Sequence, residues 1–233
     1  MLNQDFWYEY FKVYDILNIV IPYQELLKTI CDELEIKQEE KILEAGSGTG
    51  NLALEIKKRG GEAVGIDNSK EGIKRHKLKD PTAKVILGDL TEKFPFSDNY
   101  FDKICSNNTL YTISTDKRNN VMKEFYRILR PGGKIVISNL AKEFKPIKIY
   151  LDHIKKQIKN KGYFYTIKQI FILIMPTIKM FYYNSKIKKE NKEGDYSFFD
   201  SNEQKELLEK AGFLKVSETK KVFSNQAFLN SGF

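Results

Sequence analysis

The sequence has few of the side chains that build metal and redox sites. Among its 233 residues are two cysteines, Cys31 and Cys105, and two histidines, His76 and His153. These four residues are scattered along the chain and do not form the spaced ligand set of a zinc site or a paired-cysteine redox motif. We therefore expect no bound metal and two reduced, inert thiols in a cytoplasmic protein.

Long apolar runs and an export signal are also absent. The longest apolar run, residues 170–175, is bounded by Lys168 and Pro176 and falls far short of the roughly 18 residues of a membrane-spanning helix. The first ten residues include acidic and aromatic side chains where a secretory signal has a basic start and an apolar core. The sequence thus predicts a chain that neither crosses a membrane nor is exported.

The positive charge is concentrated in one segment. With 41% hydrophobic and 30% charged residues, the composition is that of an ordinary globular protein, and the net charge is +8. Residues 142–192 hold thirteen lysines, three acidic residues and no arginine, so this segment carries ten excess positive charges and the rest of the chain is slightly acidic. The positive charge can attract nucleic acid, an anionic membrane or an acidic partner. We expect any such partner to bind this segment.

Strand-like and helical stretches alternate from residue 40 to residue 140. Such alternation is typical of a doubly wound α/β fold, in which helices cover a parallel sheet. The pattern predicts strands over 41–45, 62–67, 83–88, 101–106 and 133–140, and helices over 50–59, 70–79 and 116–129, the last closed by a turn at 130–133. Outside this core it predicts helices over 6–18, 22–34 and 201–211, and an antiparallel edge hairpin with strands over 213–219 and 222–229.

A glycine-rich loop, Glu44-Ala-Gly-Ser-Gly-Thr-Gly50, links the first predicted strand to a helix. Glycine lets the backbone turn tightly and approach a ligand, and a helix N-terminus favours a negative group. Asn51 stands where a dinucleotide fingerprint has its third glycine, which argues against a nicotinamide or flavin site. A tight turn that binds no ligand is the alternative interpretation.

Polar residues follow the next three predicted strands. Asp67 ends the second strand, where its carboxylate can accept hydrogen bonds from both hydroxyls of a ribose. Asp89 follows the third strand and can accept from an adenine amine, and Asn107 follows the fourth. Because the carboxyl ends of parallel strands border one crevice, these residues together predict a nucleoside site.

These motifs resemble those of class I S-adenosylmethionine-dependent methyltransferases, in the small-molecule branch (type-11 methyltransferase domain) that includes the ubiquinone and menaquinone C-methyltransferases. The resemblance is carried by the glycine loop, Gly65-Ile-Asp67, Gly88-Asp-Leu90 and the segments 94–102 and 124–133. It implies a Rossmann-like, doubly wound, mostly parallel seven-stranded sheet with an antiparallel closing strand. It further implies a single domain over 1–233, made of N-terminal helices (1–36), a cofactor-binding core (40–140), a helical lid inserted between strands 5 and 6 (142–198) and a closing helix and hairpin (201–231).

The resemblance also implies which residues bind S-adenosylmethionine. The glycine loop would hold the methionine part, Asp67 the ribose, and Asp89 with Leu90 the adenine. Tyr8 and Tyr14 match, more weakly, a family habit of closing an aromatic N-terminal helix over the cofactor, and an aromatic face packed in the core is the alternative. The expected cofactor residues are Tyr14, Glu44, Ala45, Gly46, Ser47, Gly48, Asp67, Asn68, Asp89, Leu90 and Asn107.

A catalytic base is harder to name. Methyl transfer is an in-line displacement, so alignment and exclusion of water supply much of the acceleration, and a base is needed only if the acceptor must lose a proton. His153 in the insertion and Tyr111 after the fourth strand are weak candidates. We favour a packed or solvated histidine over a catalytic one, because a base must first be within reach of the proton it takes.

The insertion combines apolar runs at 163–165, 170–175 and 180–183 with interspersed lysines. This pattern is typical of helices that lie at a membrane interface, and it predicts a small, lipophilic methyl acceptor and peripheral contact with an anionic membrane. Helices packed on the core with a solvated lysine face are the main alternative.

Two other functions stay open at this stage. The basic insertion can serve as a clamp for RNA or protein substrates, although it lacks the arginines that fork onto phosphate or guanine. An inactive ligand-binding or membrane-binding module is the other alternative, and the complete glycine loop argues against it. The sequence leaves open whether oxygen, nitrogen or carbon is methylated, and it leaves the oligomeric state open.

Overall fold

In the computed structural model, which describes residues 2–193 and 196–233, seven strands form one sheet in the order β3-β2-β1-β4-β5-β7-β6. Strands β1 to β5 are parallel, whereas β7 pairs antiparallel with both β5 and β6. The predicted doubly wound sheet with an antiparallel closing strand is therefore confirmed. The strands are β1 Lys41–Ala45, β2 Glu62–Asp67, β3 Lys84–Leu87, β4 Phe101–Asn107, β5 Leu129–Leu140, β6 Lys220–Val222 and β7 Ala227–Gly232.

Helices flank this sheet, and their starts follow from local capping. The Asn3 side chain accepts from the amide of Phe6 at the start of the first helix, and Ser69 accepts from the amide of Gly72 at the start of the fourth. Pro22 lies in the first turn of the second helix, where its missing N–H costs nothing. The helices are α1 Gln4–Tyr14, α2 Ile21–Leu34, α3 Asn51–Lys58, α4 Lys70–Lys79, α5 Thr115–Ile128, α6 Pro146–Lys161, α7 Tyr163–Glu193 and α8 Glu203–Ala211, with a 3₁₀ turn over Asp15–Ile19.

The central strands are buried on both faces, as expected for parallel strands covered by helices. In β1 only Lys41 is exposed, and Ile42 and Leu43 have no accessible surface. Both cysteines are free and buried, and burial raises the pKa of the Cys31 thiol to about 12. Because the thiolate is the reactive form, this thiol is inert at neutral pH.

The edge of the sheet differs from the prediction. Residues 213–219, predicted as a strand, form none, because Lys215 has a left-handed φ of 48° that breaks regular pairing. The hairpin lies later in the chain, and its turn uses three consecutive left-handed residues, Phe223, Ser224 and Asn225. The strand predicted over 222–229 therefore contains the turn.

The fifth strand also begins earlier than predicted. Residues 130–133, predicted as a turn, lie inside β5. The pairing with β4 shifts register between Phe101 and Lys103, and Gly132 has a φ of 74°. The turn residues thus form a bulge that the strand passes through.

The basic insertion contains α6 and α7. Helix α7 contains Pro176 and is bent by 61° at residue 172. Proline lacks the N–H that would bond to the carbonyl four residues earlier, and its ring clashes with that carbonyl, so a bend at residue 172 is expected. Within 2–193 and 196–233 no single helix is long and apolar enough to span a membrane, although the two arms of α7, Tyr163–Phe171 and Leu173–Glu190, meet that limit when taken together.

Candidate active site

The glycine loop between β1 and α3 has a backbone that requires glycine at alternate positions. Gly46 has a φ of 76°, and a Cβ atom there would lie 2.1 Å from the hydroxyl oxygen of Thr109. Gly48 has a φ of 47°, and its Cβ would lie 3.0 Å from the ring of Phe11 on α1. The glycines are thus spaced as tight packing requires, against α1 and the segment that follows β4, and not as in the dinucleotide pattern.

Asp67 at the end of β2 is fixed by two backbone amides. Its Oδ2 accepts from the amide of Gly48 at 2.7 Å, and its Oδ1 accepts from the amide of Ser69 at 2.8 Å. Burial raises the pKa of this carboxyl, while the two amide hydrogen bonds act in the opposite direction. Each carboxylate oxygen retains a second lone pair, so Asp67 can accept further hydrogen bonds from a ligand.

Glu44 lies beneath the same loop. Its Oε2 accepts from the amide of Ala53 at 2.9 Å, which ties β1 to the first turn of α3. Burial raises the pKa of Glu44 to about 8, and the nearby charge of Asp67 adds to the increase. Near neutral pH this carboxyl therefore changes its charge readily, and it would ionise beside a positive ligand.

Three oxygen atoms without partners lie near the carboxyl ends of β1 and β4. Ser47 Oγ, Asn107 Oδ1 and Asn108 Oδ1 are buried and have no hydrogen-bond partner within the part of the chain that the structure describes. All three residues line the same cavity. Because buried polar atoms are nearly always paired in native proteins, these atoms indicate a polar ligand.

The cavity has a volume of about 350 Å³ and is polar on one side and aromatic on the other. Its polar side is formed by the loop and strand ends described above. Its other walls come from α1, α6, α7 and neighbouring loops. The aromatic lining residues are Trp7, Tyr10, Phe11, Tyr14, Tyr23, Tyr111, Phe144, Tyr150, Tyr196 and Phe223.

The phenols in this wall are held in the neutral form. The Tyr14 and Tyr23 hydroxyls lie 3.2 Å apart and share a hydrogen bond. Burial raises the pKa of Tyr23 to about 12, and it raises those of Tyr14 and Tyr111 as well. Tyr111, which the sequence offers as a weak candidate for a base, lines the cavity and stays protonated at neutral pH.

Of the two residues predicted for the adenine, Asp89 lies beside this cavity and Leu90 does not. Asp89 lines a second cavity of about 450 Å³, which shares Gln4 and Asn68 with the first. Asp89 Oδ1 accepts from the amide of Thr91 at 2.8 Å. Leu90 is buried. The described lining of either cavity includes neither Leu90 nor Ala45, and the side chains of both pack in the core.

His153 lies in the middle of α6, opposite the start of α2 and outside the described lining of the cavity. Its Nδ1 accepts from the amide of Ile21, the first residue of α2, at 3.2 Å. Val20, which precedes that helix, provides no side-chain cap. His153 therefore caps α2, and burial lowers its pKa, which keeps the ring neutral and able to accept.

Sequence reasoning missed several residues that line the cavity. Trp7, Tyr10 and Phe11 of α1 and Met180 and Asn184 of α7 are among them. The dense aromatic run from Phe6 to Phe11 was the available signal. The exposed Tyr8 from that run is stacked under Lys12 at 4.0 Å and borders the second cavity.

The comparisons with known proteins identify similar methyltransferases. The methyltransferase domain family matches residues 43–137, which run from β1 into β5. A demethylmenaquinone methyltransferase from Staphylococcus aureus is 27% identical over 224 residues, covering 88% of this chain and 82% of that protein.

Solved structures support the fold. A complex of the Haloferax volcanii Trm112 methyltransferase activator with a methyltransferase matches with a TM-score of 0.67 and 13% identity, covering 100% of this chain and 98% of that one. A methyltransferase from Aquifex aeolicus that depends on S-adenosylmethionine matches with a TM-score of 0.60 and 18% identity, covering 100% of this chain and 98% of that one.

The donor set fits the cofactor that the sequence motifs imply. S-adenosylmethionine carries an amino group and a sulfonium that need acceptors or negative charge, a carboxylate that needs donors, and ribose hydroxyls that need an acceptor. The unpartnered oxygens, the ionisable Glu44 and the anchored Asp67 supply acceptors, and the Ser47 hydroxyl supplies a donor. The matching domain, the relatives and the sheet order together support a class I S-adenosylmethionine-dependent methyltransferase.

Proposed function

We propose that this methyltransferase acts on a small lipophilic acceptor bound against the aromatic side of the cavity. The observation that carries the proposal is the lining itself, in which ten of the described residues are aromatic and Leu140, Ile149 and Met180 add aliphatic surface. Cavities of this character bind apolar molecules and use a few polar groups for orientation. The Staphylococcus aureus relative is named for a quinone substrate, demethylmenaquinone.

The charge of the cavity supports an uncharged acceptor. Among its described lining residues the only ionisable carboxyls are Glu44 and Asp67, and no lysine, arginine or histidine is present. A phosphate or a nucleic-acid backbone would enter such a site with no cation to pair with it, at a high desolvation cost. This argues against RNA as the acceptor, even though the outside of the insertion is basic.

In this proposal the polar side of the cavity holds the cofactor, which supplies an electrophilic methyl group on a positively charged sulfur. Asp67 would accept hydrogen bonds from the ribose, with Asn68 beside it. Asn107 and Asn108 would accept from the amino group of the methionine part, and Asp89 would face the adenine from the second cavity. The loop contact between Gly48 and Asp67 keeps these groups in register.

The chain's own contribution to the reaction would be alignment and exclusion of water. The ring of Phe11 on α1 lies close against Gly48 of the glycine loop. Tyr14, Tyr23 and Tyr111 stay protonated at neutral pH, so none of these phenols is a free base there. An acceptor that loses its proton easily fits this site best.

The proposal includes peripheral contact of the insertion with an anionic membrane, where lipophilic acceptors dissolve. It is supported by the ten excess positive charges of residues 142–192 and by their apolar runs. Helices α6 and α7 also contribute Ile149 and Met180 to the cavity wall, so the segment that would meet the membrane borders the acceptor.

A transfer assay with labelled cofactor tests the acceptor class. The purified protein is incubated with methyl-labelled S-adenosylmethionine and either a total lipid extract or the aqueous fraction of the same cells. We expect label in the organic phase with the lipid extract, and none with an Asp67→Ala control. Label confined to the aqueous fraction would refute a lipophilic acceptor.

A further inference from the structure

The outer side of α7 exposes a run of large apolar side chains. Phe164 is 93% exposed and Phe171 is 74% exposed, values expected of lysine more than of phenylalanine. We define the α7 apolar surface as the exposed side chains of Tyr163, Phe164, Ile167, Phe171, Ile174 and Met175. A group of exposed large apolar side chains that are close in sequence indicates an interaction site.

The spacing places most of this surface on one side of the helix. Phe164, Ile167 and Phe171 follow each other at intervals of three and four residues on the first arm of α7, and Ile174 and Met175 lie at the start of the second arm, just beyond the bend. Thr166 and Met180, which fall on the opposite side, are buried. The apolar row therefore faces away from the protein body.

The charge around this row is of one sign. Residues 163–189 contain five lysines and no acidic residue. Lys168 and Lys179 flank the apolar row and are exposed. Aromatic and aliphatic residues bordered by lysines are suited to the boundary between acyl chains and anionic headgroups.

We propose that the α7 apolar surface inserts into the headgroup boundary of an anionic membrane and holds the acceptor cavity against it. The inference rests on the proposed lipophilic acceptor, and it assigns the surface through which the protein would reach that acceptor in the membrane. A second copy of this chain is a poorer occupant, because a two-fold pairing would bring the same lysines of both copies together.

The inner side of the same helices connects this surface to the site. Met180 and Asn184 of α7 and Ile149 and Tyr150 of α6 line the cavity. The side chain of Tyr183 packs edge-on against Phe6 of α1, at 5.5 Å between ring centroids. Docking through the outer side of α7 would therefore bring the membrane within one helix of the cavity.

Vesicle co-sedimentation with a matched control tests the docking surface. The full-length protein is mixed with vesicles of phosphatidylcholine, or of phosphatidylcholine and phosphatidylglycerol in equal amounts. The test variant is Phe164→Ser with Phe171→Ser. The control is Leu78→Ser with Leu214→Ser, which removes apolar side chains that are 73% and 70% exposed outside the insertion.

We expect the wild type and the control to sediment with the anionic vesicles only, and the α7 variant to partition at least about tenfold less, since two inserted rings are lost. All three proteins should bind S-adenosylmethionine with the same Kd, which shows that they are folded. Equal sedimentation of the α7 variant and the control would overturn the proposal. So would a wild-type dimer that the α7 variant converts to a monomer, because the surface would then be an interface between copies.

The outcomes separate this inference from the proposed function. If detergent-dispersed lipid extract is methylated but the wild type binds no vesicle, the docking surface is wrong and the lipophilic acceptor stands. If the α7 surface is needed for vesicle binding while label appears only in the aqueous fraction, docking stands and the acceptor class is wrong.

Discussion

The backbone amide of Gly48 donates a 2.7 Å hydrogen bond to Oδ2 of Asp67, which joins the glycine loop to the end of β2. The same carboxylate accepts from the amide of Ser69 and so also fixes the start of α4. One side chain thus organises two backbone segments and still faces the cavity. Its removal should affect cofactor binding by two routes, through lost ligand contacts and through a looser loop.

Asp67→Ala should weaken S-adenosylmethionine binding by well over tenfold. Two hydrogen bonds from ribose hydroxyls to a charged group contribute roughly 1.5–3 kcal/mol each, and the loop contact adds to the loss. Asp67→Asn keeps an acceptor oxygen, so its Kd should lie between those of the wild type and Asp67→Ala. Calorimetric titration gives the Kd values, and circular dichroism checks folding. A Kd for Asp67→Ala equal to that of the wild type would disprove the assignment.

Glu44→Gln should change the pH dependence of cofactor binding. Burial raises the pKa of Glu44 to about 8, and a cationic ligand favours the ionised form. Binding should therefore release a proton, and affinity should rise between pH 6 and pH 8 and level off above pH 8. The glutamine variant cannot ionise and should lack this rise.

The control for this prediction is S-adenosylhomocysteine, which lacks the sulfonium charge and should show a weaker rise in the wild type. The amino group of the cofactor titrates in the same range, but its effect is common to both proteins and cancels in the comparison. Parallel pH profiles of Kd for the wild type and Glu44→Gln would contradict a role for this carboxyl.

The sheet and the strand-end residues were predictable because their signals are local. Apolar runs, a glycine loop and an acidic residue after a strand each occupy a few adjacent positions, and the loop and Asp67 lie where the prediction placed them. The contact that fixes Gly48, however, comes from Phe11 on another helix. Such contacts between distant segments leave no local pattern.

The edge hairpin was misplaced for a related reason. Its turn places Phe223, Ser224 and Asn225 in left-handed conformations, and only asparagine among these favours that region. No glycine marks the turn, so the β-rich sequence predicted a strand through it. His153 is a further case, because its capping of α2 depends on two helices that are far apart in sequence.

His153→Ala should lower the free energy of unfolding and leave methyl transfer nearly unchanged. Loss of a helix cap costs about 1 kcal/mol, and Lys155→Ala on the exposed side of α6 is the matched control. Burial lowers the pKa of His153 from its ordinary value of 6.5, so the cap contributes fully above pH 6.5 and is lost as the pH falls below it. Urea unfolding between pH 5 and pH 8 should therefore show a difference between wild type and variant that shrinks in acid. A difference independent of pH would argue against the cap.

Tyr111→Phe should retain the rate of methyl transfer within about threefold and keep the same pH profile. Burial, with a contribution from Tyr196, raises the pKa of the Tyr111 phenol, so its hydroxyl stays protonated and takes no proton from the acceptor at neutral pH. Tyr111→Ala should be slower, since the ring packs against Tyr196 and Phe198 at 6.2 and 5.2 Å between centroids and closes the cavity wall. Initial rates of label transfer to the lipid extract measure both variants. Removal of a general base costs about 10²-fold to 10⁴-fold in rate, so a loss of that size in Tyr111→Phe would show that the hydroxyl takes part in proton transfer.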